Sequence, residues 1–236
     1  MGATTALYRY VDRQSERATM TATTYPRHRQ IPVDHITGWG VKSKVVDEHG
    51  HLLPVFRGQH GLGEDWDETQ LGSLSFGTAA AASHYALYPN NSRHIAQAPK
   101  VFPVYLNVRN PFINCPDDPF MDLSHYAAVF GFEETCRIAV KFKDYVYHTN
   151  AWEEVSESAG VDSVEALIEQ RPALLGELII ELYALLDDVD EVDRLRTKGF
   201  DGAIHGGSGE TAMEPEYRVF STDQVRSIWD TSLEHH

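Results

Sequence analysis

Segments with strand character lie at both ends of this chain and enclose a long stretch with helical character. Runs rich in β-branched and aromatic residues, with turn residues between them, predict strands over Lys42–Val46, Leu52–Arg57, Leu74–Gly77, Val101–Val108, Phe200–His205 and Glu216–Ser221. The enclosed stretch runs from Met121 to about Arg196. Because strands and helices are grouped rather than alternating, the sequence predicts an α+β protein without repeated βαβ units.

Helices are predicted from propensity and from apolar periodicity. Thr78 and the alanine-rich segment after it predict a short helix that ends before Pro89, with Thr78 as its N-cap. Within the helical stretch, a 3.6-residue period predicts a helix through Leu174, Leu175, Leu178, Ile179, Leu182, Leu185, Leu186 and Val189. The segment Pro111–Pro119 is predicted to be a loop.

Residues 30–232 are predicted to form one domain, with the helical stretch at about 121–196 as an insertion in it. Residues 1–29 lack apolar periodicity and are predicted to be a flexible leader. Two interpretations of the leader stay open: ordinary terminal disorder, or a polar export signal read by a bacterial injection machine. Residues 233–236 resemble the remnant of a purification tag and are left out of any metal argument.

Charge and cysteine content narrow the classes of function. The formal net charge of −15 argues against a nucleic-acid partner, because binding to nucleic acid needs a cationic face. No apolar run approaches the ~18 residues of a membrane span, so no membrane association is expected. Cys115 and Cys136 have no metal or redox spacing, and the histidines lack metal-ligand spacing as well. We therefore expect two free thiols, no metal site and a monomer.

Three short segments carry groups with complementary chemistry. Arg57 ends a predicted strand, Ser75 lies in another, and Glu216 opens a third, two residues after Glu214. A guanidinium binds phosphate oxygens with paired donors, and a fixed carboxylate stabilises a sugar cation. Side chains two positions apart in an extended segment share a face, so the two glutamates are expected to point the same way.

These segments resemble, in the same order, the three motifs of ADP-ribosyltransferases that use NAD. The matching segments are Pro54–Gly58, Leu74–Thr78 with the helix after it, and Glu216–Val225. Val104–Pro111 and Gly199–Ile204 are similar to strand sequences of bacterial and phage members of that family. The resemblance implies an ADP-ribosyltransferase-like split β-sandwich, here with a helical insertion, that binds NAD as a co-substrate between its two halves.

Within this resemblance, four residues are expected to carry catalysis. Arg57 would bind the NAD phosphates, and Glu216 would stabilise the oxocarbenium-like ribose as nicotinamide leaves. Ser75 would hold Glu216 by a hydrogen bond and so fix its contact with the ribose 2′-hydroxyl. In related enzymes a carboxylate at the position of Glu214 engages an arginine acceptor; here Pro215 departs from that pattern and leaves the acceptor open.

Three further residues are expected to contact NAD. The backbone of Gly58 would reach the nicotinamide carboxamide, because no Cβ intervenes. Phe76 and Tyr85 would pack on the cationic nicotinamide ring. For both aromatic residues, plain packing in the core is an equal alternative.

The sequence thus predicts a mono-ADP-ribosyltransferase that moves ADP-ribose from NAD to an arginine or threonine side chain of a protein. The arginine-serine-glutamate set also resembles that of bacterial effectors that modify a threonine of ubiquitin, so a host protein is one expected partner. Delivery into a host cytosol and residence in the bacterial cytoplasm both stay open. The alternatives in function are an NAD glycohydrolase toxin and a catalytically inactive binding module. The insertion is expected to shape the protein-substrate site, with a structural role as the alternative.

Overall fold

The computed structural model describes residues 39–61, 72–88, 96–207 and 214–230. The predicted leader and the predicted tag remnant lie outside these ranges. The described residues form a mixed α+β arrangement, as the sequence predicted. In these ranges, no helix has both the length and the apolar character needed to cross a membrane. Cys115 and Cys136 are free cysteines.

Two sheets contain most of the strands. The strands are β1 (Val55–Gln59), β2 (Leu74–Phe76), β3 (Lys100–Leu106), β4 (Pro111–Cys115), β5 (Phe120–Asp122), β6 (Ile179–Glu181), β7 (Gly202–Gly206), β8 (Pro215–Val219) and β9 (Val225–Ser227). One sheet has the order β1-β3-β9 and the other the order β2-β8-β7-β4. β5 pairs with β6 alone, and every pairing is antiparallel except that of β4 with β7.

The two larger sheets meet at one backbone bridge between Phe56 of β1 and Gly77, which follows β2. Phe56 donates its N–H to the Gly77 carbonyl, and Gly77 donates its N–H to the Phe56 carbonyl, both at 2.9 Å. Apolar side chains from both sheets pack into one shared core, which includes Val55, Leu74, Phe76, Val104, Leu106, Ile204, Tyr217, Val219 and Val225. The bridge therefore brings the end of β2 beside the middle of β1.

The side chain of Gln224 ties the connections of the two sheets together. Its amide nitrogen donates to the carbonyls of Asn107, at 2.9 Å, and Asp201, at 2.7 Å. Its amide oxygen accepts from the N–H groups of Phe220 and Ser221, both at 3.0 Å. One buried side chain thus satisfies backbone groups next to β3, β7 and β8. Gln224 therefore has a structural role in the third motif.

Helices occupy most of the predicted insertion. The helices are α1 (Ala79–Leu87), α2 (Leu123–Phe130), α3 (Phe132–Lys141), α4 (Lys143–Val146), α5 (Asn150–Ala159), α6 (Val164–Gln170), α7 (Leu182–Asp187) and α8 (Val189–Thr197). Short 3-10 helices cover Pro172–Glu177 and Thr222–Gln224. The helices from α2 onward share a core with β4, β7 and the residue after β8, through Phe112, Ile113, Ala203 and Phe220.

The predicted helix through Leu174 and Val189 is wrong. The chain there forms a 3-10 helix that begins at Pro172, then the strand β6, and only then α7. Leu175, Leu178 and Leu182 are buried in these three different elements or next to them. Because β5 and β6 pair, tertiary hydrogen bonds override the helical period that these apolar residues produce.

The predicted loop at Pro111–Pro119 is also wrong in its first half. Residues Pro111–Cys115 form β4, which pairs in parallel with β7. Pro111 stands at the start of the strand, where a missing N–H donor disturbs the ladder least. Phe112 and Ile113 are buried against the insertion, and this long-range packing stabilises the strand.

Candidate active site

The three strands that carry Arg57, Ser75 and Glu216 bring these residues into contact. Nη1 of Arg57 donates to the backbone carbonyl of Ser75 at 3.0 Å. Oγ of Ser75 donates to Oε1 of Glu216 at 2.7 Å. The hydrogen bond predicted between Ser75 and Glu216 is confirmed, and Arg57 lies at the same site across the bridge between the sheets.

Arg57 is a half-buried cation with an unused donor. Its guanidinium carbon lies 5.8 Å from the centroid of the Phe76 ring. Its Nε is buried and has no hydrogen-bond partner among the described residues. Burial lowers the pKa of Arg57, Tyr85 opposes that shift, and the nearby Arg218 adds to it. A buried guanidinium nitrogen without a partner calls for an acceptor, and an anionic ligand supplies one.

Glu216 is held from two sides. Besides the Ser75 hydrogen bond, Oε1 lies 2.6 Å from Nε of Arg218, in a close ion pair. The Glu216 side chain is 16% exposed. Burial alone would raise the pKa of Glu216, but Arg218, His205 and the Ser75 hydrogen bond together lower it below its ordinary value. The carboxylate is therefore held ionised at neutral pH.

Arg218 links Glu216 to the helical insertion. The residue is 4% exposed, and its Nη1 lies 2.6 Å from Oδ1 of Asp187 at the end of α7. The same nitrogen donates to Oγ of Ser73 at 3.3 Å. Burial would lower the pKa of Arg218, but Glu216 and Asp187 together raise it. A buried charge of this kind persists only with such partners.

Glu214 and Thr78 form a second polar pair beside the first. The hydroxyl of Thr78 donates to Oε2 of Glu214 and accepts from the N–H of Ala81 at 3.1 Å. The N-cap predicted at Thr78 is thus confirmed, with a second role added. The carbonyl of Glu214 accepts from the N–H of Gly207 at 2.7 Å. Glu214 is therefore positioned from both its side chain and its backbone.

Gly58 must be glycine because α1 packs against it. A Cβ on Gly58 would lie 2.0 Å from the carbonyl oxygen of Ala82. Gly58 is buried, and the direction of its backbone groups follows from its neighbour Phe56. The N–H and C=O groups of Phe56 point toward Gly77, away from β3. Because backbone groups alternate in direction along a strand, the N–H and C=O groups of Gly58, two residues later, also point away from β3. The predicted contact with the carboxamide fits this direction and stays a prediction.

The two predicted aromatic contacts differ in accessibility. Phe76 is 1% exposed and packs in the core between the sheets, which corresponds to the alternative interpretation of plain core packing. Its ring is closed to a stacking ligand in this structure. Tyr85 is 48% exposed on α1 and lies 5.7 Å from the His60 ring, centroid to centroid. Tyr85 is therefore the ring accessible for stacking.

His205 is a site residue that the sequence did not reveal. It faces Glu216 directly across β7 and β8 and is 1% exposed. Nδ1 lies 2.7 Å from the carbonyl of Gly206, and Nε2 is buried without a partner among the described residues. Burial is the main cause that lowers the pKa of His205, against the attraction of Glu216, so the ring is neutral at pH 7.

Arg218 had a signal in the sequence, whereas Asp187 had none. Arg218 lies two residues after Glu216, so strand alternation alone places both side chains on one face. Asp187 belongs to an acidic run that is typical of a solvent-exposed face. Asp187 reaches the site only because α7 packs against the sheet. His205 ends a predicted strand, but strand register is not visible in a single sequence.

Neither a protein-family model, nor a curated protein, nor a solved structure matches this chain. Within the described ranges, no group of three or more His, Cys, Asp and Glu side chains is arranged to hold a metal ion.

Proposed function

We propose that this protein is a mono-ADP-ribosyltransferase that cleaves NAD at the nicotinamide–ribose bond and transfers ADP-ribose to a protein side chain. The observation that carries the proposal is the continuous contact from Arg57 through Ser75 to Glu216. A cation with an unused donor and an ionised carboxylate stand at the two ends of this contact. NAD presents an anionic pyrophosphate and a ribose that becomes cationic, which match these two groups.

The charge balance of the reaction fits the residues present. When the glycosidic bond breaks, its electron pair leaves with nicotinamide, which departs as a neutral molecule and needs no general acid. The positive charge remains on the ribose, where the Glu216 carboxylate stabilises it. The acceptor side chain then adds to the ribose carbon and loses its proton, and we assign Glu214 as the carboxylate that receives this proton.

One oxygen of Glu216 is available for the ribose. The contacts from Ser75 and Arg218 both fall on Oε1. Within the described ranges, no side chain donates a hydrogen bond to Oε2. Oε2 is also not a buried atom without a partner, so it is open to a ligand. Oε2 is therefore the atom we assign to the ribose 2′-hydroxyl.

The arrangement of the sheets supports the same proposal. Within the described ranges the two sheets share a core and meet at the bridge between Phe56 and Gly77, and this arrangement fits the split β-sandwich that we propose. Arg57 and Ser75 flank that bridge in sequence. In the proposal, a ligand bound beside this bridge contacts both the Arg57 guanidinium and the Glu216 carboxylate.

The decisive experiment uses NAD labelled in its adenylate moiety. It measures the unlabelled nicotinamide that is released and the labelled ADP-ribose that is transferred to protein. The wild-type chain is expected to release nicotinamide and to label a protein in a cell lysate. Glu216→Gln should lower nicotinamide release about 10²–10³-fold. Glu154→Gln is the matched control, because Glu154 is exposed on α5, and it should behave like the wild type.

The outcome also separates the alternatives. Free ADP-ribose without labelled protein would replace the proposal with NAD hydrolysis. Absence of nicotinamide release together with absence of NAD binding in calorimetry would favour an inactive binding module. Equal rates in the wild type and in Glu216→Gln would remove Glu216 from catalysis.

A further inference from the structure

One face of the four-stranded sheet carries the candidate site at one end and the insertion at the other. Glu216, Arg218 and Phe220 alternate along β8 and its extension, so their side chains share this face. Phe220 packs in the core of the insertion, together with Ala203 of β7. Arg218 lies between the site and that core, and is itself buried.

The end of α7 is joined to this face by three polar contacts. The N–H of Gly72 donates to the carbonyl of Asp187 at 3.0 Å, and Oγ of Ser73 donates to the carbonyl of Leu186 at 2.7 Å. The third contact is the pair between Asp187 and Arg218. The junction is tight, because a Cβ on Gly72 would lie 2.6 Å from the carbonyl oxygen of Asp188.

The position of Asp187 is unfavourable for the helix that carries it. A carboxylate at a helix C-terminus faces the negative end of the helix dipole, which costs a short helix stability. Arg218 offsets this cost, and no helix-capping role explains the residue, since the cap of α8 is Asp188. The pairing of Asp187 with Arg218 therefore calls for a reason outside the helix.

Counting charges supplies that reason. Glu216 and Arg218 alone form a neutral pair, and a neutral pair stabilises a ribose cation poorly. With Asp187 on the other side of the guanidinium, the group of three carries one net negative charge. Asp187 also fixes the other end of the guanidinium, because its Oδ1 lies 2.6 Å from Nη1 of Arg218.

We propose that Asp187 is a positioning residue of the active site: through Arg218, the helical insertion sets the placement and the effective charge of Glu216. This assignment rests on the proposed function. The insertion is thus part of the NAD-cleaving site, and not only a surface for the substrate protein. Removing the whole insertion would expose the core it shares with β4 and β7, so a single substitution is the sharper test.

Asp187→Asn removes the charge and keeps a side-chain oxygen at the same place. We expect kcat for nicotinamide release to fall about 10–100-fold, which is the usual effect of removing a residue that orients a metal-ligating side chain. The KM for NAD should change less than about twofold, because in the proposal Asp187 contacts Arg218 and not the dinucleotide. Asp187→Glu restores the carboxylate and should recover most of kcat.

Asp193→Asn is the matched control. Asp193 lies on α8 in an exposed ion pair with Arg196, and its loss removes the same charge from the insertion without touching Arg218. Its kcat should equal that of the wild type. Circular dichroism and urea unfolding on all variants measure the folded fraction at the assay temperature.

Each outcome decides the assignment. A low kcat in Asp187→Asn with unchanged KM, recovery in Asp187→Glu and a normal Asp193→Asn support it. A normal kcat in folded Asp187→Asn overturns it while the proposed function stands. Loss of activity in both Asp187 variants in proportion to lost folded protein also overturns it, in favour of a structural role. A folded wild-type chain that releases no nicotinamide overturns the proposed function, and this assignment with it.

Discussion

Oγ of Ser75 donates a 2.7 Å hydrogen bond to Oε1 of Glu216, a residue 141 positions further along the chain. The bond spans the neighbouring strands β2 and β8, in which Ser75 lies opposite Arg218. Because Arg218 contacts the same carboxylate oxygen, Glu216 is oriented by one neutral donor and one cation. Both contacts lower the pKa of Glu216, and the charge of Arg218 contributes more than the hydrogen bond from Ser75.

Replacement of Ser75 by alanine tests the neutral donor. A hydrogen bond to a charged group is worth about 1.5–3 kcal/mol, so Ser75→Ala should lower kcat for nicotinamide release about tenfold or more. The measurement is steady-state release of nicotinamide from NAD. Ser83→Ala is the control, because the Ser83 hydroxyl donates to the carbonyl of Ala79 within α1 and to no other group in the part of the chain that the structure describes. Equal kcat values for the two variants would contradict the role of Ser75.

Replacement of Arg57 by lysine tests the dinucleotide contact. Lysine keeps the charge but lacks Nε and the planar fork, so the buried donor that has no partner in the described chain disappears. We expect the Kd for NAD in calorimetry to rise about tenfold or more, with the fold unchanged. Arg226→Lys, at an exposed position on β9, should leave the Kd unchanged. A wild-type Kd in Arg57→Lys would exclude a bidentate phosphate contact.

The residues of the Arg57–Ser75–Glu216 contact are predictable because each lies in a strand with its own local signal. Short apolar runs next to glycine mark β1 and β2, and the order of the motifs relates them. Their convergence follows once the strands pair. The contact between Asp187 and Arg218 is not predictable in this way, because it forms only when elements far apart in the chain pack together.

The errors in the fold have the same physical origin. Ile179 and Ile180 lie within an apolar pattern of helical period, yet they form β6 because β5 offers a partner for their backbone. Phe112 and Ile113 lie in a segment with proline at both ends, yet they form β4 because β7 and the insertion cover them. In each case a partner distant in sequence decides the local structure, and periodicity alone does not contain that information.

Replacement of Gly58 by alanine tests the contact of β1 with α1. The added Cβ would meet the Ala82 carbonyl at 2.0 Å, so strand or helix must shift. The expected loss is about 1–3 kcal/mol in the free energy of unfolding, read from urea titrations. Gly176→Ala is the control, since its Cβ would meet Ser124 at an ordinary 3.4 Å. A Gly58→Ala variant as stable as Gly176→Ala would show that this contact is looser than described.

Thr78 variants separate transfer to a protein from cleavage of NAD. Thr78→Val keeps the shape but loses the donor to Glu214 and the N-cap of α1, which costs about 1 kcal/mol of stability. Protein labelling should fall by a larger factor than nicotinamide release, because Glu214 serves the acceptor in the proposal. Thr78→Ser retains both interactions and should behave like the wild type. Equal losses in the two assays for Thr78→Val would place Glu214 in cleavage instead.

His205 predicts how stability depends on pH. Burial, more than any other cause, lowers its pKa below the ordinary histidine value of 6.5, although Glu216 and Asp187 favour its charged form, and Arg218 disfavours it. The folded state therefore binds fewer protons than the unfolded state as pH falls below 6.5. Stability must decrease across the window from 6.5 down to the lowered pKa of the folded state, and it levels off below that pKa.

The measurement is the free energy of unfolding in urea between about pH 8 and about pH 5, for the wild type and His205→Asn. Asparagine retains a donor toward the Gly206 carbonyl but does not titrate. The variant should be less stable at neutral pH, because it leaves space in a buried position, yet its slope against pH should be smaller than that of the wild type. Glu216, whose pKa is lowered from 4.5, loses its stabilising contribution only at lower pH and does not obscure the comparison. Identical slopes for the two chains would mean that His205 titrates as it does in the unfolded state, and that the ring facing Glu216 is more accessible to water than its burial implies.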